Sequence, residues 1–368
     1  MARRVGQYRV RRQLGDIIDA MSRRTTSLVV AGVLLVTLVV VAFSVPMPYV
    51  LESPGVTENT LGEFNGKPVL EINGAKTYPA DGHLELTTVS VSRQDYQPRL
   101  PDVMSAWVDD DQIVLPRDVV YPPEQSTEEV DEQNRADMVD SQSTAVVAGL
   151  TAAGIDPYAV TVKVVEDGAP AEGKLTVNDE LLSVDGGRVE STEAAVTAIS
   201  AVNPGDPVAL QVRRDDERLT VNVTTEPNPD DSSKARIGVS LGPPVDVSIK
   251  LSQDIGGPSA GLVFSLAIYD RLTPGSLTGG RFVAGTGTID AEGKVGPIGG
   301  IQQKIIGAYK GGEGASVFLV PADNCEEAGG SDLADELLLV KVATVGEAVA
   351  ALDSIEAGDE AALMLCGR

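Results

Sequence analysis

The stretch GGPSAGLVFSLAIYDRL at residues 256–272 decides the fold of the C-terminal part of the chain. Its glycines tolerate a positive φ or the close approach of a ligand. Pro258 suits the first turn of a helix, where its missing N–H is no loss. The apolar run after Gly261 then predicts a buried helix. The helix is therefore expected to begin next to Ser259.

Ser259 would stand among backbone N–H groups that have no acceptor within the helix. Such groups can stabilise an oxyanion, so we expect the N–H groups of Gly257 and Ser259 to form an oxyanion hole beside a nucleophilic serine. The alternative is that Ser259 is simply the N-terminal residue of a helix after a Gly-Pro turn, because such turns are common.

The motif GGIQQK at 299–304 supplies a candidate base for that serine. A helix from about Ile301 to Lys310 would place Lys304 in the middle of an apolar stripe. Burial disfavours the charged form of a lysine and lowers its pKa, and the neutral amine can then accept a proton near neutral pH. A lysine that extends to solvent along the helix is the alternative.

Four segments, in this order, resemble the proteolytic domain of Lon-type proteases across residues 245–350. They are GPSAG at 257–261, VAGTGTI at 283–289, GKVGPIGGIQQK at 293–304 and VFLVPADN at 317–324. The resemblance implies that Ser259 is the nucleophile, that Lys304 is the general base and that Thr286 orients the lysine by a hydrogen bond.

The chain departs from the family pattern at one position. Many Lon proteases carry an acidic residue immediately before the Gly-Pro-Ser sequence, and this chain has Gly256 there. Asp254 lies two residues further back.

The N-terminus predicts a single membrane span. Seven arginines lie in the first 26 residues, and a charge-free, mostly apolar run from Thr25 to Leu51 follows them. The run is long enough for a spanning helix, and the basic flank predicts a cytoplasmic N-terminus. We therefore expect a basic cytoplasmic segment at 1–24, an uncleaved signal anchor at 25–46 and an extracytoplasmic catalytic domain. A signal peptide cleaved near AFS at 42–44 is the alternative.

Charge and cysteine content restrict the partners. The chain has a net charge of −25 in spite of its basic N-terminus, which argues against nucleic acid as a partner. No Cys/His cluster exists, so we expect no metal site and no cofactor. The only cysteines, Cys325 and Cys366, are expected either to pair outside the cytoplasm or to stay as two unpaired residues. The one histidine, His83, is predicted to be a strand residue without a chemical role.

Residues 151–228 resemble bacterial PDZ domains, chiefly through GAPAEGKL at 168–175 and NDELLSVDG at 178–186. PDZ modules bind an extended chain end as an added strand at a sheet edge. The peptide-binding loop is expected just before the first strand, at Tyr158, Ala159 and Val160. GAPAEGK also resembles a phosphate-binding loop, but Leu175 occupies the Ser/Thr position, so we expect no nucleotide.

The predicted fold class is therefore α+β and multi-domain: an N-terminal transmembrane helix, a PDZ-like β-rich domain and a Lon-type α/β proteolytic domain. Residues 47–150 are predicted to form a membrane-proximal β-rich segment and a charged helical linker, in which 54–91 resembles the bacterial YlbL-like membrane-anchored family. The proteolytic domain is placed at 240–352 and a C-terminal tail at 353–368.

The predicted function is an ATP-independent serine endopeptidase, anchored in the membrane, that acts on extracytoplasmic proteins or peptides. Its serine–lysine dyad would cleave, and the PDZ-like module would recruit or gate the substrate. A catalytically silent PDZ-bearing interaction or chaperone-like protein is the alternative. Ring assembly occurs in Lon relatives, so a homo-oligomer is compatible with the sequence but is not indicated by its composition.

Overall fold

The computed structural model describes residues 3–122, 124–252, 255–311 and 314–367, with side chains from Arg23 onward. Within these ranges the α-helices are α1 (Arg3–Ser44), α2 (Leu100–Trp107), α3 (Arg117–Val120), α4 (Thr127–Ala152), α5 (Thr192–Ser200), α6 (Gly261–Leu272), α7 (Ile301–Lys310), α8 (Cys325–Gly329) and α9 (Val345–Glu356).

The strands before the predicted proteolytic domain are β1 (Tyr49–Asn59), β2 (Glu63–Phe64), β3 (Lys67–Pro68), β4 (Leu70–Asn73), β5 (His83–Val91), β6 (Ile113–Pro116), β7 (Thr161–Val165), β8 (Glu180–Val184), β9 (Gly187–Arg188), β10 (Pro207–Arg214), β11 (Glu217–Thr224), β12 (Glu226–Pro227) and β13 (Ala235–Arg236). The later strands are β14 (Val239–Gly242), β15 (Asp246–Ile249), β16 (Phe282–Gly285), β17 (Thr288–Ile289), β18 (Val295–Gly296), β19 (Val317–Pro321) and β20 (Leu338–Val342).

The chain divides into two units. A small unit comprises Met1–Ser53 and Val91–Thr127, and a large unit comprises Pro54–Ser90 and Glu128–Arg368. In the described chain, the segment Arg23–Ser44 of α1 is the one helix long and apolar enough to cross a membrane, by length and composition, and none of it is buried. Its 22 residues span roughly 30 Å, which matches the hydrocarbon core of a bilayer.

In the small unit, the segment after residue 91 returns to the end of α1. The N–H of Met47 donates to the carbonyl oxygen of Pro98 at 2.8 Å. The first residues of β1 pair antiparallel with β6, from Tyr49 opposite Pro116 to Glu52 opposite Ile113. These bonds hold α2 and β6 to the chain that leaves α1.

The core of the large unit is a sheet in which β20, β19, β16, β5 and residues 54–59 of β1 lie side by side in that order. β16 is parallel to both of its neighbours, β19 and β5, and β20 is parallel to β19. Strands buried on both faces read as continuous apolar runs. The sequence VFLVP of β19 is such a run, and all five residues are buried.

Alternate side chains of β19 enter two different cores. Val317 and Leu319 pack in a cluster with residues of α4, α6 and α9. Phe318 and Val320 pack in a cluster with residues of α7. The helices α6 and α7 therefore lie on opposite faces of one sheet.

The segment at 54–90 belongs to the core of the large unit. The prediction instead placed it in a separate membrane-proximal segment that ends at residue 150. Leu84 and Leu86 of β5 are fully buried in the cluster that contains α6. The helix α4 corresponds to the predicted charged helical linker, and its residues Met138, Ala145 and Ala148 are buried in the same cluster. The large sheet, α6 and α9 bury these apolar side chains together, so the segment folds with the sheet.

A second sheet in the large unit has the strand order β11-β10-β8-β7-β14. The helix α5 contributes the buried residues Ala195 and Ile199 to its core. β14 pairs antiparallel with β7, from Val239 opposite Val165 to Gly242 opposite Thr161. The PDZ-like sheet thus extends past the boundary predicted at residue 228, and β14 belongs to it rather than to the following domain.

Candidate active site

The three side chains predicted to carry the chemistry come from both faces of the large sheet. Ser259 lies in the turn before α6, and Lys304 lies in the first turn of α7. Thr286 follows β16 directly. Because α6 and α7 both begin near the carboxyl end of β16, their first turns meet there.

The structure brings these side chains into hydrogen-bonding contact. The Nζ atom of Lys304 lies 2.8 Å from Oγ of Ser259 and 3.1 Å from Oγ1 of Thr286. Lys304 is only 3% exposed and Thr286 is fully buried. The amine thus points inward along the apolar face of α7, as the sequence predicts, and does not extend to solvent. The bounds of α7 agree with the predicted helix.

Backbone bonds fix the peptide that carries the serine. The carbonyl oxygen of Ser259 accepts hydrogen bonds from Oγ1 of Thr286 at 3.0 Å and from the N–H of Gly287 at 2.8 Å. The N–H of Leu262 donates in turn to the carbonyl oxygen of Gly287 at 3.1 Å. The loop after β16 is therefore bonded both to Ser259 and to the first turn of α6.

The helix α4 holds the turn from the other side. The N–H of Gly257 donates to the carbonyl oxygen of Asn134 at 2.9 Å, and the hydroxyl of Ser141 donates to the carbonyl oxygen of Pro258 at 3.0 Å. Ser141 is 6% exposed. Sequence reasoning missed this contact, because the only signal was a helical pattern more than a hundred residues away from the serine.

One predicted oxyanion donor needs correction. Gly257 does adopt a positive φ, +83°, but its N–H is already bonded to Asn134. No described residue accepts a hydrogen bond from the N–H of Ser259. Of the two donors predicted from sequence, only the N–H of Ser259 is available to a substrate oxygen in this conformation.

The glycine at the departure from the Lon pattern has a steric explanation. A Cβ atom on Gly256 would lie 3.0 Å from Cβ of Asn134 and 3.4 Å from its carbonyl oxygen. Contacts that short require the neighbour to move, so α4 occupies the space that a side chain at 256 would need. Asp254, the nearest acidic residue before this turn, lies outside the described residues.

The predicted peptide-binding loop does not adjoin a free sheet edge. Val160 is 2% exposed, and its carbonyl oxygen accepts a bond from the N–H of Leu181 at 2.7 Å. Tyr158 and Ala159 line a groove of about 860 Å³ that also includes Arg188 and Arg213. The strand that follows them, β7, lies between β8 and β14 in the sheet order.

The edge on that side of the PDZ-like sheet is β14. It is preceded by Gly238, which has a φ of +71°. The N–H of Ala171 donates to the carbonyl oxygen of Ile237, which closes the loop before the strand. The edge strand is thus supplied from the far end of the domain sequence, and the peptide-binding role of Tyr158, Ala159 and Val160 stays a prediction.

Two buried carboxyl groups of the large unit, Asp179 and Asp270, have displaced pKa values. Burial raises the pKa of Asp179, but hydrogen bonds from Arg214 and Thr176 outweigh burial and hold that pKa below its ordinary value. The Arg214 side chain reaches the carboxylate through two bonds of 2.6 and 2.7 Å. This pair ties the end of β10 to the turn before β8.

Asp270, near the end of α6, has the opposite shift. Burial raises its pKa, although the N–H of Leu277 and the charge of Arg271 act against burial. Oδ1 accepts the N–H of Leu277 at 2.7 Å, while Oδ2 has no hydrogen-bond partner among the described residues. Burial thus disfavours the charged form of this carboxyl group.

The structure shows how the two cysteines and the one histidine are placed. Cys325 and Cys366 form a disulfide bond, which ties the C-terminal residues to α8. His83 is the first residue of β5, and its ring lies 4.0 Å from the ring of Phe282. Its Nδ1 is 3.6 Å from the carboxylate of Glu85. The described side chains contain no group of three or more His, Cys, Asp or Glu suited to a metal ion.

Two family profiles match the chain. Residues 252–352 match the Lon protease (S16) C-terminal proteolytic domain, and residues 131–225 match the PDZ domain. The first range contains Ser259, Thr286 and Lys304. The second begins within α4 and ends after β11, so it covers most of the second sheet but not β14.

Similar proteins support both matches. Lon protease 2 of Herpetosiphon aurantiacus is 41% identical over 71 residues, which are 19% of this chain and 8% of that protein. The Lon protease of Bacillus thuringiensis is 29% identical over 190 residues, 52% of this chain and 19% of that protein. A probable periplasmic serine endoprotease, DegP-like, of Halomonas elongata is 36% identical over 87 residues, 21% of this chain and 18% of that protein. The matched regions span less than a fifth of each relative.

Proposed function

We propose that this chain, which combines a PDZ domain with the proteolytic domain of Lon-type serine peptidases, is a membrane-anchored endopeptidase that cleaves extracytoplasmic proteins or peptides without ATP. The observation that carries the proposal is the 2.8 Å separation between Nζ of Lys304 and Oγ of Ser259 at a buried position. A serine hydroxyl needs a base within hydrogen-bond reach to become a nucleophile, and Lys304 is in that position.

In the proposed acylation step, the neutral amine of Lys304 takes the hydroxyl proton as Oγ of Ser259 attacks the substrate carbonyl carbon. The carbonyl oxygen becomes an oxyanion, which the N–H of Ser259 would stabilise. The intermediate collapses with cleavage of the C–N bond, and the ammonium of Lys304 gives its proton to the leaving amine. The products of this step are an ester on Ser259 and a new N-terminus.

Deacylation repeats the sequence with water as the nucleophile. Lys304, neutral again, takes a proton from water as the oxygen attacks the ester carbon. The tetrahedral intermediate releases Oγ of Ser259, which recovers its proton from the ammonium. The enzyme returns to its starting state, and no nucleotide takes part.

Thr286 is proposed as a positioning residue. Its hydroxyl donates a hydrogen bond to the carbonyl oxygen of Ser259 and accepts a hydrogen bond from Nζ of Lys304. Because a neutral amine has two N–H bonds and one lone pair, the bond to Thr286 helps to leave the lone pair for Ser259. The same hydroxyl thus links the base to the peptide of the nucleophile.

The PDZ domain is proposed to recruit substrate at β14. An extended peptide adds to a sheet edge through main-chain hydrogen bonds, and β14 is the outer strand next to β7. This module and the catalytic residues are both in the large unit, so a bound segment would be held on the same body that cleaves it.

Membrane attachment is proposed to occur through α1. The segment Arg23–Ser44 has the length of a span, and the arginines before it favour a cytoplasmic N-terminus. In that topology the large unit lies outside the cytoplasm, where ATP is absent and a disulfide such as Cys325–Cys366 persists.

One observation favours the alternative of a catalytically silent, peptide-binding protein. The N–H of Gly257 is occupied by the carbonyl oxygen of Asn134, which leaves fewer donors for an oxyanion. The test is cleavage of an unfolded protein by the full chain in detergent, without ATP, beside Ser259→Ala and Lys304→Ala. Turnover lost in both variants supports the peptidase. No turnover by the folded wild type supports the silent alternative.

A further inference from the structure

The outward face of α2 in the small unit is apolar and exposed. Val103 and Ala106 are buried, at 1% exposure each, whereas Met104, Trp107 and Val108 are 51%, 68% and 82% exposed. At about 100° per residue, continued to Val108, the residue that caps the C-terminus of α2, these three side chains lie within an arc of roughly 100°. Soluble surfaces rarely expose such a stripe without a partner.

The position of α2 indicates what covers this stripe. Arg99, which caps the N-terminus of α2, forms a β-bridge with Pro46, two residues after the end of α1. The helix α2 also contacts α1 itself. It therefore lies beside the end of Arg23–Ser44, where the apolar segment suited to a membrane stops.

The residue types of the stripe suit the boundary between lipid and water. Tryptophan is enriched at that level, because its ring is apolar and its N–H is polar. Asp102 lies off the stripe, and Asp109, Asp110 and Asp111 follow the helix directly. These carboxylates oppose deep insertion and are repelled by anionic headgroups, so the favoured surface is a zwitterionic interface entered to a shallow depth.

We infer that α2 lies in the interface of the bilayer that α1 spans, with Trp107 at the level of the headgroups. The inference rests on the membrane anchoring proposed above. It gives the small unit two membrane contacts, a span and an interfacial helix. A second contact of this kind limits the rotation of the small unit about the axis of the span.

Trp107 is also the probe, since it is the only tryptophan in the chain. The full chain is reconstituted into phosphatidylcholine vesicles, and its emission is measured with brominated lipids, which quench from within the bilayer, and with iodide, which quenches from water. We expect a blue-shifted emission, stronger quenching by bromines placed near the headgroup than by bromines placed deep in the acyl chains, and protection from iodide.

A double variant tests the stripe without removing the probe. Replacing Met104 and Val108 by serine is expected to reduce the lipid quenching of Trp107 and to restore its access to iodide. The matched control replaces Val164 and Val177, exposed by 52% and 54% in the large unit, by serine. That control is expected to leave both kinds of quenching unchanged.

Flotation of the vesicles separates this inference from the anchor. If the chain floats with the vesicles and iodide, but not brominated lipid, quenches Trp107, the interfacial contact is overturned and the membrane span still holds. Floating chain protected from both quenchers also overturns that contact, because a protein surface then covers the stripe. Chain that does not float contradicts the anchor and the interfacial contact together.

Discussion

The hydroxyl of Ser141, in the second half of α4, donates a hydrogen bond of 3.0 Å to the carbonyl oxygen of Pro258, the residue directly before Ser259. In the same helix, the carbonyl oxygen of Asn134 accepts a hydrogen bond from the N–H of Gly257. The geometry of the candidate nucleophile therefore depends on a helix that lies more than a hundred residues earlier in the chain. Two of the variants below test that dependence.

Ser141→Ala removes the bond to Pro258 and is expected to slow the reaction of Ser259 with a fluorophosphonate probe roughly fivefold, since one buried hydrogen bond contributes about 1 kcal/mol. The measurement is the rate of labelling of the full chain. Ser143→Ala is the matched control, because the Ser143 hydroxyl donates a hydrogen bond within α4, to the carbonyl oxygen of Val139. Equal rates in Ser141→Ala and the wild type would show that the bond from Ser141 to Pro258 does not position the turn.

Gly256→Ala is expected to slow the same labelling, because the new Cβ would lie 3.0 Å from Cβ of Asn134. Asn134→Gly removes that atom, although it weakens α4 by about 1 kcal/mol. The double variant should therefore label faster than Gly256→Ala alone. The comparison is a double-mutant cycle, and strictly additive effects would contradict the steric explanation of the glycine.

Thr286→Val keeps the shape of a fully buried side chain but removes the hydroxyl between Lys304 and the carbonyl oxygen of Ser259. Turnover is expected to fall by roughly tenfold or more, as for the loss of a residue that orients a catalytic base. The pH–rate profile should also move to lower pH, because the ammonium form of Lys304 loses an acceptor. Thr286→Ser retains the hydroxyl and should keep the profile of the wild type; an unshifted profile in Thr286→Val would mean that Thr286 only packs.

Asp270→Asn tests the raised pKa of a buried carboxyl group. The folded state holds the proton of Asp270 at pH values where the unfolded chain has released it. As the pH rises from the ordinary value of 3.8 through the folded pKa, this group therefore lowers the free energy of unfolding. The variant should show a smaller loss of stability across that window in urea unfolding. Asp353→Asn, at an exposed position on α9, should keep the slope of the wild type. A slope in Asp270→Asn as steep as in the wild type would contradict the assignment.

The sequence was sufficient where the pattern is local. GGIQQK predicts both the bounds of α7 and the inward face of Lys304, because a 3.6-residue period decides which side chains are buried. The Gly-Pro turn likewise predicts a helix that begins next to Ser259, and α6 begins two residues later, at Gly261. Of the two glycines before Pro258, Gly257 adopts a positive φ. The contact between Lys304 and Ser259 followed from a family resemblance, which carries long-range information that neither motif holds alone.

The sequence was insufficient where strands and helices meet across the chain. Periodicity identifies β5 as a strand but does not say that it pairs with β16, about two hundred residues later. It does not reveal that β14 pairs with β7, which moves the free edge of the PDZ sheet away from Tyr158. Periodicity also gives no sign that the N–H of Gly257 donates a hydrogen bond to the carbonyl oxygen of Asn134. In each case the partner is chosen by packing in the folded core.

The central claim is that Lys304 activates Ser259, and the most direct measurement is mass spectrometry of the full chain after reaction with a fluorophosphonate. The account predicts one adduct, on the peptide that contains Ser259, that is lost in Ser259→Ala and strongly reduced in Lys304→Ala, while both variants unfold at temperatures close to that of the wild type. An adduct on another serine, or undiminished labelling of Ser259 in Lys304→Ala, would contradict it.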